Sequence, residues 1–193
     1  YMGGGPGTGI HRSDDGGITW TALKEGLPKS NMGKLGIAIS PQNPDIIYAA
    51  IELDRRKGGI FRSSDRGSTW QKMSNEVSGG TGPHYYQELT ASPQTADLVF
   101  QMDVFMRVTR DGGSHVDILG TGREKHSDNH AFWIDPKDDL HVLAGSDAGL
   151  YESFDEGATW RHFPNLPVSQ FYKVAVDNAE PFYNVLGGTQ DLG

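Results

Sequence analysis

One eight-residue pattern recurs along the chain and constrains its fold more than any other feature. Residues 63–70 have the form S-x-D-x-G-x-T-W, and the same form returns at 13–20 and at 153–160. A weaker copy at 109–116 keeps the hydroxyl, the Asp and the Gly but lacks the Thr and the Trp. The Asp residues of the four copies are 50, 46 and 44 residues apart. A period of this length is typical of β-propellers, in which each repeat is one four-stranded sheet, or blade.

The residue types in this pattern predict a tight turn between two strands. The Asp carboxylate can accept backbone N–H groups, the hydroxyl can add a further bond, and the Gly can take a positive φ. The closing Thr-Trp starts a strand with a β-branched residue and a large ring that packs between sheets. Because turn locking explains every position, we expect structural rather than catalytic roles for the following residues: Ser13, Asp15, Gly17, Trp20, Ser63, Asp65, Gly67, Trp70, Asp111, Gly113, Ser153, Asp155, Gly157 and Trp160.

With these repeats the chain resembles the Asp-box, or BNR-repeat, β-propellers. That group includes sialidases, xyloglucan-cleaving glycoside hydrolases and the sortilin-type receptor domain. Three other stretches, at 126–136, 145–149 and 187–193, resemble a narrower set of bacterial sortilin-like propellers that are commonly called glycosyl hydrolases. The resemblance implies an all-β fold and a location outside the cytoplasm, whether secreted, periplasmic or on the cell surface.

Composition removes several classes of function. The formal charge is -8 with no long basic run, so nucleic acid is not an expected partner. The chain has no cysteine, which excludes disulfides and thiolate metal sites. No stretch is as long as the 18 or so apolar residues of a membrane helix, and no signal peptide is visible in this segment.

Short apolar runs bounded by turn residues predict four strands per blade, which we call A to D from the propeller axis outward. The expected A strands are 35–40, 86–92, 130–135 and 172–177, and the B strands are 46–51, 98–102, 140–144 and 183–186. The C strands are 59–63, 106–109 and 150–153, and each D strand begins at the Asp-box Trp or its equivalent.

The predicted blades cover 1–33, 34–83, 84–127 and 128–170, and 171–193 begins a further one. Residues 1 and 2 match the B-strand positions of the next repeat, which leaves one B strand too many for a closed ring. We therefore expect part of a larger propeller, closed by the remainder of that propeller or by another chain, with a complete four-bladed ring as the alternative.

Strand direction alternates, so the D-to-A and B-to-C connections leave the sheets at one edge and the Asp boxes at the other. We call the first edge the loop edge. The three family-like stretches all fall on it, and loops held by a rigid scaffold commonly carry function. We expect a ligand site there, formed by His126, Asp128, His130, Asp147, Tyr85, Gln170, Gln190 and Asp191.

Two kinds of chemistry fit these residues. In an extended segment His126, Asp128 and His130 would share one side, which allows a divalent metal site or an imidazole–carboxylate pair for proton transfer. Asp147 and Asp191 would supply a further ligand or, with Asp128, the acids of a glycoside hydrolase. Alternatively, the His residues bond to backbone and the Asp residues lock turns, with no metal or other cofactor.

Two functions follow from the sequence. The first is a binding or scaffold module that holds a glycan or a protein segment on the loop edge. The alternative is a glycoside hydrolase with two carboxylates beside the scissile bond. Sialidase activity is disfavoured, because no F-R-I-P-like motif is present. Since no carboxylate pair can be identified from sequence, binding is the primary prediction and enzymatic activity stays open.

Overall fold

The structure, a computed structural model, describes residues 4–54, 57–78, 87–120, 123–166 and 171–189. These residues form sixteen β-strands, and the described part of the chain contains no α-helix. The predicted all-β class is therefore confirmed. The chain divides into two compact units, residues 1–162 and 163–193. Within the described ranges, no helix has the length and apolar character needed to cross a membrane.

The first unit contains one two-stranded sheet and three four-stranded sheets. Every pair is antiparallel, and each four-stranded sheet keeps its strands in chain order. The first sheet is β1 (Ile10–Arg12) and β2 (Thr21–Leu23); the second is β3 (Leu35–Ile39), β4 (Ile47–Leu53), β5 (Lys57–Ser63) and β6 (Gln71–Lys72). The third is β7 (Leu89–Ala91), β8 (Val99–Gln101), β9 (Arg107–Thr109) and β10 (Asp117–Ile118); the fourth is β11 (Asn129–Asp135), β12 (Asp138–Ser146), β13 (Gly149–Ser153) and β14 (Arg161–His162).

The second unit contains one antiparallel pair, β15 (Phe171–Val176) and β16 (Val185–Thr189). No described sheet combines strands from the first and the last sheet of the chain. The sheets are thus not closed by pairing between them, as expected for part of a propeller. The limits of the individual blades stay a prediction.

The strand classes follow the sequence closely, with differences at the ends. β3, β7, β11 and β15 are the predicted A strands, and β4, β8, β12 and β16 are the B strands. Each described D strand begins one residue after the Trp or Val that closes the eight-residue pattern. The A strand of the third sheet is shorter than predicted and begins at Leu89.

The core lies between the sheets, because the central strands are buried on both faces. In β4, Tyr48 and Ala50 face the third sheet, whereas Ala49 and Ile51 face the first. Successive side chains of a strand point to opposite faces of the sheet, and here both faces are buried. Three apolar clusters fill the successive gaps, and the last residue of an Asp box packs into each of them: Trp70, Val116 and Trp160.

Candidate functional site

The Asp-box turns share one hydrogen-bonding pattern. At 63–70, Asp65 Oδ1 accepts the backbone N–H of Thr69 at 2.8 Å, and Oδ2 accepts its hydroxyl at 2.6 Å. The Ser63 hydroxyl accepts the N–H of Gly67 at 2.8 Å and donates to Asp65 at 2.8 Å. The indole N–H of Trp70 donates to the Gly67 carbonyl at 2.9 Å. The copies at 13–20 and 153–160 repeat the Ser, Asp and Thr contacts.

Two consecutive residues of each turn take positive φ, although the sequence predicts this only for the second, the glycine two residues after the Asp. The glycine after the Asp-box Asp has φ of 82° at Gly67 and 88° at Gly157. The residue before it is also left-handed, with φ of 59° at both Arg66 and Glu156. A side chain is strained in this region, and the dense hydrogen bonding of the turn holds it there.

These contacts fix the charge of the Asp-box carboxylates. Hydrogen bonds, first among them those from the threonine hydroxyls, lower the pKa of Asp15 and of Asp65 from 3.8 to about 2. A carboxylate that stays ionised at all working pH values cannot serve as a general acid. The geometry of these residues is that of turn locking.

The fourth copy reaches the same geometry with different side chains. His115 stands in place of the threonine: its backbone N–H donates to Asp111 Oδ1 at 2.9 Å, and its Nδ1 lies 2.5 Å from Oδ2. The Thr109 hydroxyl accepts the N–H of Gly113 at 2.8 Å. The pKa of Asp111 is lowered to about 2, chiefly by the backbone N–H of His115. The pKa of His115 is raised by its hydrogen bond to Asp111.

At the loop edge, two of the predicted site residues from different connections meet. His130 begins the exposed part of β11, and Asp147 lies in the turn between β12 and β13. Both residues are exposed, and His130 Nε2 lies 3.0 Å from Asp147 Oδ1. The backbone N–H of Asp147 donates to the Asp128 carbonyl at 3.3 Å. Asp128, His130 and Asp147 therefore form one group, which we call the edge triad.

The extended arrangement of residues 126–130 is wrong. Asp128 has a left-handed backbone with φ of 60°. Asn129 is buried, and its amide donates to the carbonyls of Asp103 and Val104 at 2.9 Å each. His126 Nδ1 instead lies 2.9 Å from the Ser127 carbonyl oxygen.

This bend also removes the geometry on which the metal hypothesis depended. His126, Asp128 and His130 do not converge on one point. Across the described ranges, no group of three or more His, Asp or Glu side chains is placed to hold a metal ion.

Lys125 lies beneath this segment and is a residue that the sequence argument missed. It is 6% exposed. Its ammonium donates to the His126 carbonyl at 3.1 Å and to Asn129 Oδ1. It also lies 5.6 Å from the ring centroid of Tyr151 and 5.4 Å from that of Trp160. Burial lowers the pKa of Lys125 from 10.5 to about 8.

The rings of Tyr151 and Trp160 form a cage around the Lys125 ammonium. The Asp box that ends at Trp160 differs from the one at 63–70 in one hydrogen bond. The indole Nε1 of Trp160 is buried and has no hydrogen-bond partner among the described residues, in contrast to that of Trp70. This difference was not predictable from the Asp-box residues, which are the same in both copies. A lysine between Glu124 and His126 in a polar stretch predicts a solvated side chain, and only the neighbouring sheet explains why it is buried.

A shallow cavity adjoins Lys125 at the loop edge. It measures about 190 Å³ with the open space at its mouth. Phe105, in the B-to-C connection of the third sheet, is one of its exposed apolar residues and was also missed. The lining residues are Val104, Phe105, Met106, Leu119, Gly120, Lys125, His126, Ser127 and Asn129.

Several predicted site residues lie outside the described residues: Tyr85, Gln170, Gln190 and Asp191. Their convergence with the edge triad stays a prediction.

A second imidazole–carboxylate group lies on the fourth sheet, away from the turns of the loop edge. His141 on β12 lies between Glu152 Oε1 at 3.1 Å and Asp135 Oδ2 at 3.3 Å, and it stacks on Phe154 at 4.6 Å. Hydrogen bonding to Glu152 is the largest cause that raises the pKa of His141. Cross-strand charge pairing explains this group, which no spacing in the sequence indicates.

The comparisons with known proteins agree with this geometry. The BNR/Asp-box repeat family matches residues 11–22. A xyloglucanase of Hypocrea jecorina is 25% identical over 90% of this chain and 27% of its own length. An oligoxyloglucan-reducing end-specific xyloglucanase of Emericella nidulans is 26% identical over 83% of this chain and 22% of its own.

Among solved structures, the GH74 xyloglucanase from Xanthomonas campestris superposes with a TM-score of 0.62 at 20% identity, over 87% of this chain and 28% of that one. The chain thus spans about a quarter of the length of these relatives. The chain therefore carries the BNR/Asp-box repeat and has the fold of part of a β-propeller.

Proposed function

We propose that the loop edge contacts a glycan and that the chain is part of a glycoside hydrolase acting on xyloglucan or a related β-glucan. The observation that carries this proposal is the similarity to two xyloglucanases over more than four-fifths of the chain. This similarity favours a glycoside hydrolase over the binding module, which was the primary prediction from the sequence. Because each relative is much longer, the activity is proposed for the intact protein.

The edge triad offers two carboxylates at the loop edge for such an enzyme. Asp147 is exposed at the open edge and contacts an imidazole. A general acid is kept protonated by apolar surroundings, so Asp147 suits the role of base or nucleophile better than that of acid. Asp128, joined to Asp147 through the backbone, and Asp191 are the candidates for the other carboxylate.

Glycan binding without hydrolysis is the second candidate. It is favoured by the open, partly apolar surface beside the edge triad, where Phe105 and His126 are exposed around the shallow cavity. An aromatic face beside polar groups suits the apolar face and the hydroxyls of a sugar. A protein segment with an aromatic side chain would use the same surface.

The wider setting follows from the same proposal. We place the chain in a larger propeller with approximate blades at 1–33, 34–83, 84–127 and 128–170 and a further one from 171. Because xyloglucan is a polysaccharide substrate, we propose that the intact protein works outside the cytoplasm.

The test is to measure reducing-sugar release from xyloglucan, and affinity for xyloglucan oligosaccharides, with the intact protein. Asp147→Asn and Asp128→Asn are compared with Asp14→Asn, which removes an exposed carboxylate of the first Asp box. We expect turnover to fall by about 10²–10⁴-fold in the Asp147 variant, the usual contribution of a catalytic base, with binding retained.

Other outcomes change the conclusion. If the parent protein binds xyloglucan oligosaccharides but does not cleave xyloglucan, and the variants lose binding, the binding module is favoured. Unchanged turnover and binding in both variants remove the edge triad from the function.

A further inference from the structure

We propose that Lys125 is a positioning residue for the His130–Asp147 pair. Its ammonium holds residues 126–129 in the bent conformation on which the placement of Asp147 depends. The functional importance of this role rests on the proposed function, whereas the positioning itself rests on the contacts of the described residues.

Lys125 joins the segment that precedes β11 to the outer part of the fourth sheet. Its ammonium lies against the rings of Tyr151 on β13 and Trp160 before β14. It donates forward along the chain to the His126 carbonyl and to Asn129 Oδ1. One buried group therefore fixes residues 126 and 129 relative to the fourth sheet.

A short series of hydrogen bonds continues from Asn129 to the edge triad. The Asn129 amide donates to the Val104 carbonyl at 2.9 Å, and the same carbonyl accepts the N–H of Asp128 at 3.0 Å. The Asp128 carbonyl in turn accepts the N–H of Asp147 at 3.3 Å, and Asp147 lies 3.0 Å from His130. Every step as far as the N–H of Asp147 involves backbone or a buried amide, so we expect a shift at Asn129 to move Asp147 relative to His130.

The cage itself provides a second connection to the turn that carries Asp147. The ring of Tyr151, beside the Lys125 ammonium, stacks on His162 with centroids 4.7 Å apart. His162 Nε2 lies 3.0 Å from the carbonyl oxygen of Ala148, the residue after Asp147. Lys125 is thus connected to the turn at 147–148 from both sides.

Apolar packing alone does not explain a lysine at this position. A buried ammonium is costly unless it is paired, and no carboxylate among the described residues forms an ion pair with Lys125. A methionine would fill the space between the two rings without that cost. What it would lack is a donor to Asn129 Oδ1, so that buried oxygen would be unsatisfied and the Asn129 side chain would be held only by its bonds to the Asp103 and Val104 carbonyls.

The test combines a charge-removing variant with a direct observation of the pair. Lys125→Met keeps the length of the side chain, and Lys137→Met, in the turn between β11 and β12 at the opposite edge, is the matched control. In each background, Asp147→Asn is introduced and the change in the His130 ring ¹⁵N chemical shifts is measured. We expect a clear change in the parent and in Lys137→Met, and a change reduced by at least about half in Lys125→Met.

A second readout separates this inference from the proposed function. If xyloglucan is the substrate, Lys125→Met should lose about tenfold or more in kcat/KM, the scale of a misplaced catalytic group, and Lys137→Met should not. If the parent neither binds nor cleaves xyloglucan while the His130 response still depends on Lys125, the proposed function fails and the positioning role stands.

Unfolding curves establish that each variant is folded. Lys125→Gln, which keeps an N–H donor for Asn129, is the second variant in case Lys125→Met does not fold, and it should restore part of the His130 response. A folded Lys125→Met protein whose His130 response equals that of the parent overturns the proposal, and so does a folded Lys125→Gln protein with no His130 response, because its N–H donor should preserve part of it.

Discussion

The Asp boxes at 13–20 and 63–70 have the same turn in different surroundings. Asp15 and Asp65 accept the same donors, and both indoles donate to the carbonyl of the box glycine, at 3.1 and 2.9 Å. Trp20 is nevertheless 62% exposed, whereas Trp70 is 6% exposed and lies in the cluster between the first two sheets. The local sequence sets the geometry of the turn, and packing against a neighbouring sheet sets how much it stabilises the fold.

The strongest test of this difference is to remove the two rings. Trp70→Ala should lower the free energy of unfolding by about 3–5 kcal/mol, the usual cost of a large cavity in a core. In the chain of residues 1–193, where no described sheet covers the ring, Trp20→Ala should change it by no more than about 0.5 kcal/mol, as for other exposed positions; a preceding blade in a longer propeller would raise this cost. Denaturant unfolding of both variants gives the comparison. Equal losses would mean that the indole acts through the turn and not through packing.

The serine hydroxyls give a second, smaller contrast. Ser63 is buried and its hydroxyl serves both Asp65 and Gly67, so Ser63→Ala should cost about 1–3 kcal/mol by leaving buried groups unsatisfied. Ser13 makes the same bonds closer to solvent, so Ser13→Ala should cost less. The midpoints of urea unfolding measure both, and glycan binding by the folded Ser63 variant should be unchanged. A Ser63→Ala protein as stable as the parent contradicts the prediction.

The two turns should respond to acid in the same way, because their carboxylates have the same local bonds. The pKa of Asp15 and Asp65 is about 2 in the folded protein against an ordinary 3.8. A lowered pKa stabilises the fold above pH 3.8, and this contribution is lost as the pH falls through 2. Asp65→Asn and Asp15→Asn should therefore each reduce the dependence of the unfolding midpoint on pH between 4 and 2. A reduction in only one of them would show that packing also governs the charge.

The smallest effect is expected at the fourth copy. His115 has a raised pKa from its bond to Asp111, so its contribution is complete below its ordinary pKa of 6.5 and is lost as the pH rises through the higher folded value. His115→Thr supplies the hydroxyl of a complete box and should remove this loss. Unfolding midpoints at pH 6 and pH 9 should differ less in the variant than in the parent. An unchanged difference would assign the pH dependence to other groups, such as His141.

The sequence predicted the features that depend on residues close together in the chain. The strand order and the turns follow from the repeat, and the meeting of His130 with Asp147 follows from strand direction alone. The bend at Asp128 and the burial of Asn129 were not predictable, because both depend on the carbonyls of Asp103 and Val104 in another sheet.

The roles of Phe105, Lys125 and His141 were not predicted, for related reasons. None belongs to the repeat, and their surroundings are built by residues distant in sequence: the Lys125 cage comes from Tyr151 and Trp160. The sequence shows that His115 occupies the threonine position of the fourth copy. Only the structure shows that its ring takes the place of the threonine hydroxyl in the hydrogen bond to Asp111.

One close contact has a consequence for the angle between sheets. Gly36 on the inner strand β3 is so near the next sheet that a Cβ there would lie 1.6 Å from the Gln87 carbonyl oxygen. Farther out, Ile60 and Val116 fill the same gap with side chains. The gap is therefore a wedge, narrow where two backbones touch and wide where branched residues stand between them. A methyl group at position 36 would therefore open the narrow end of this gap and reduce the angle between the second and third sheets.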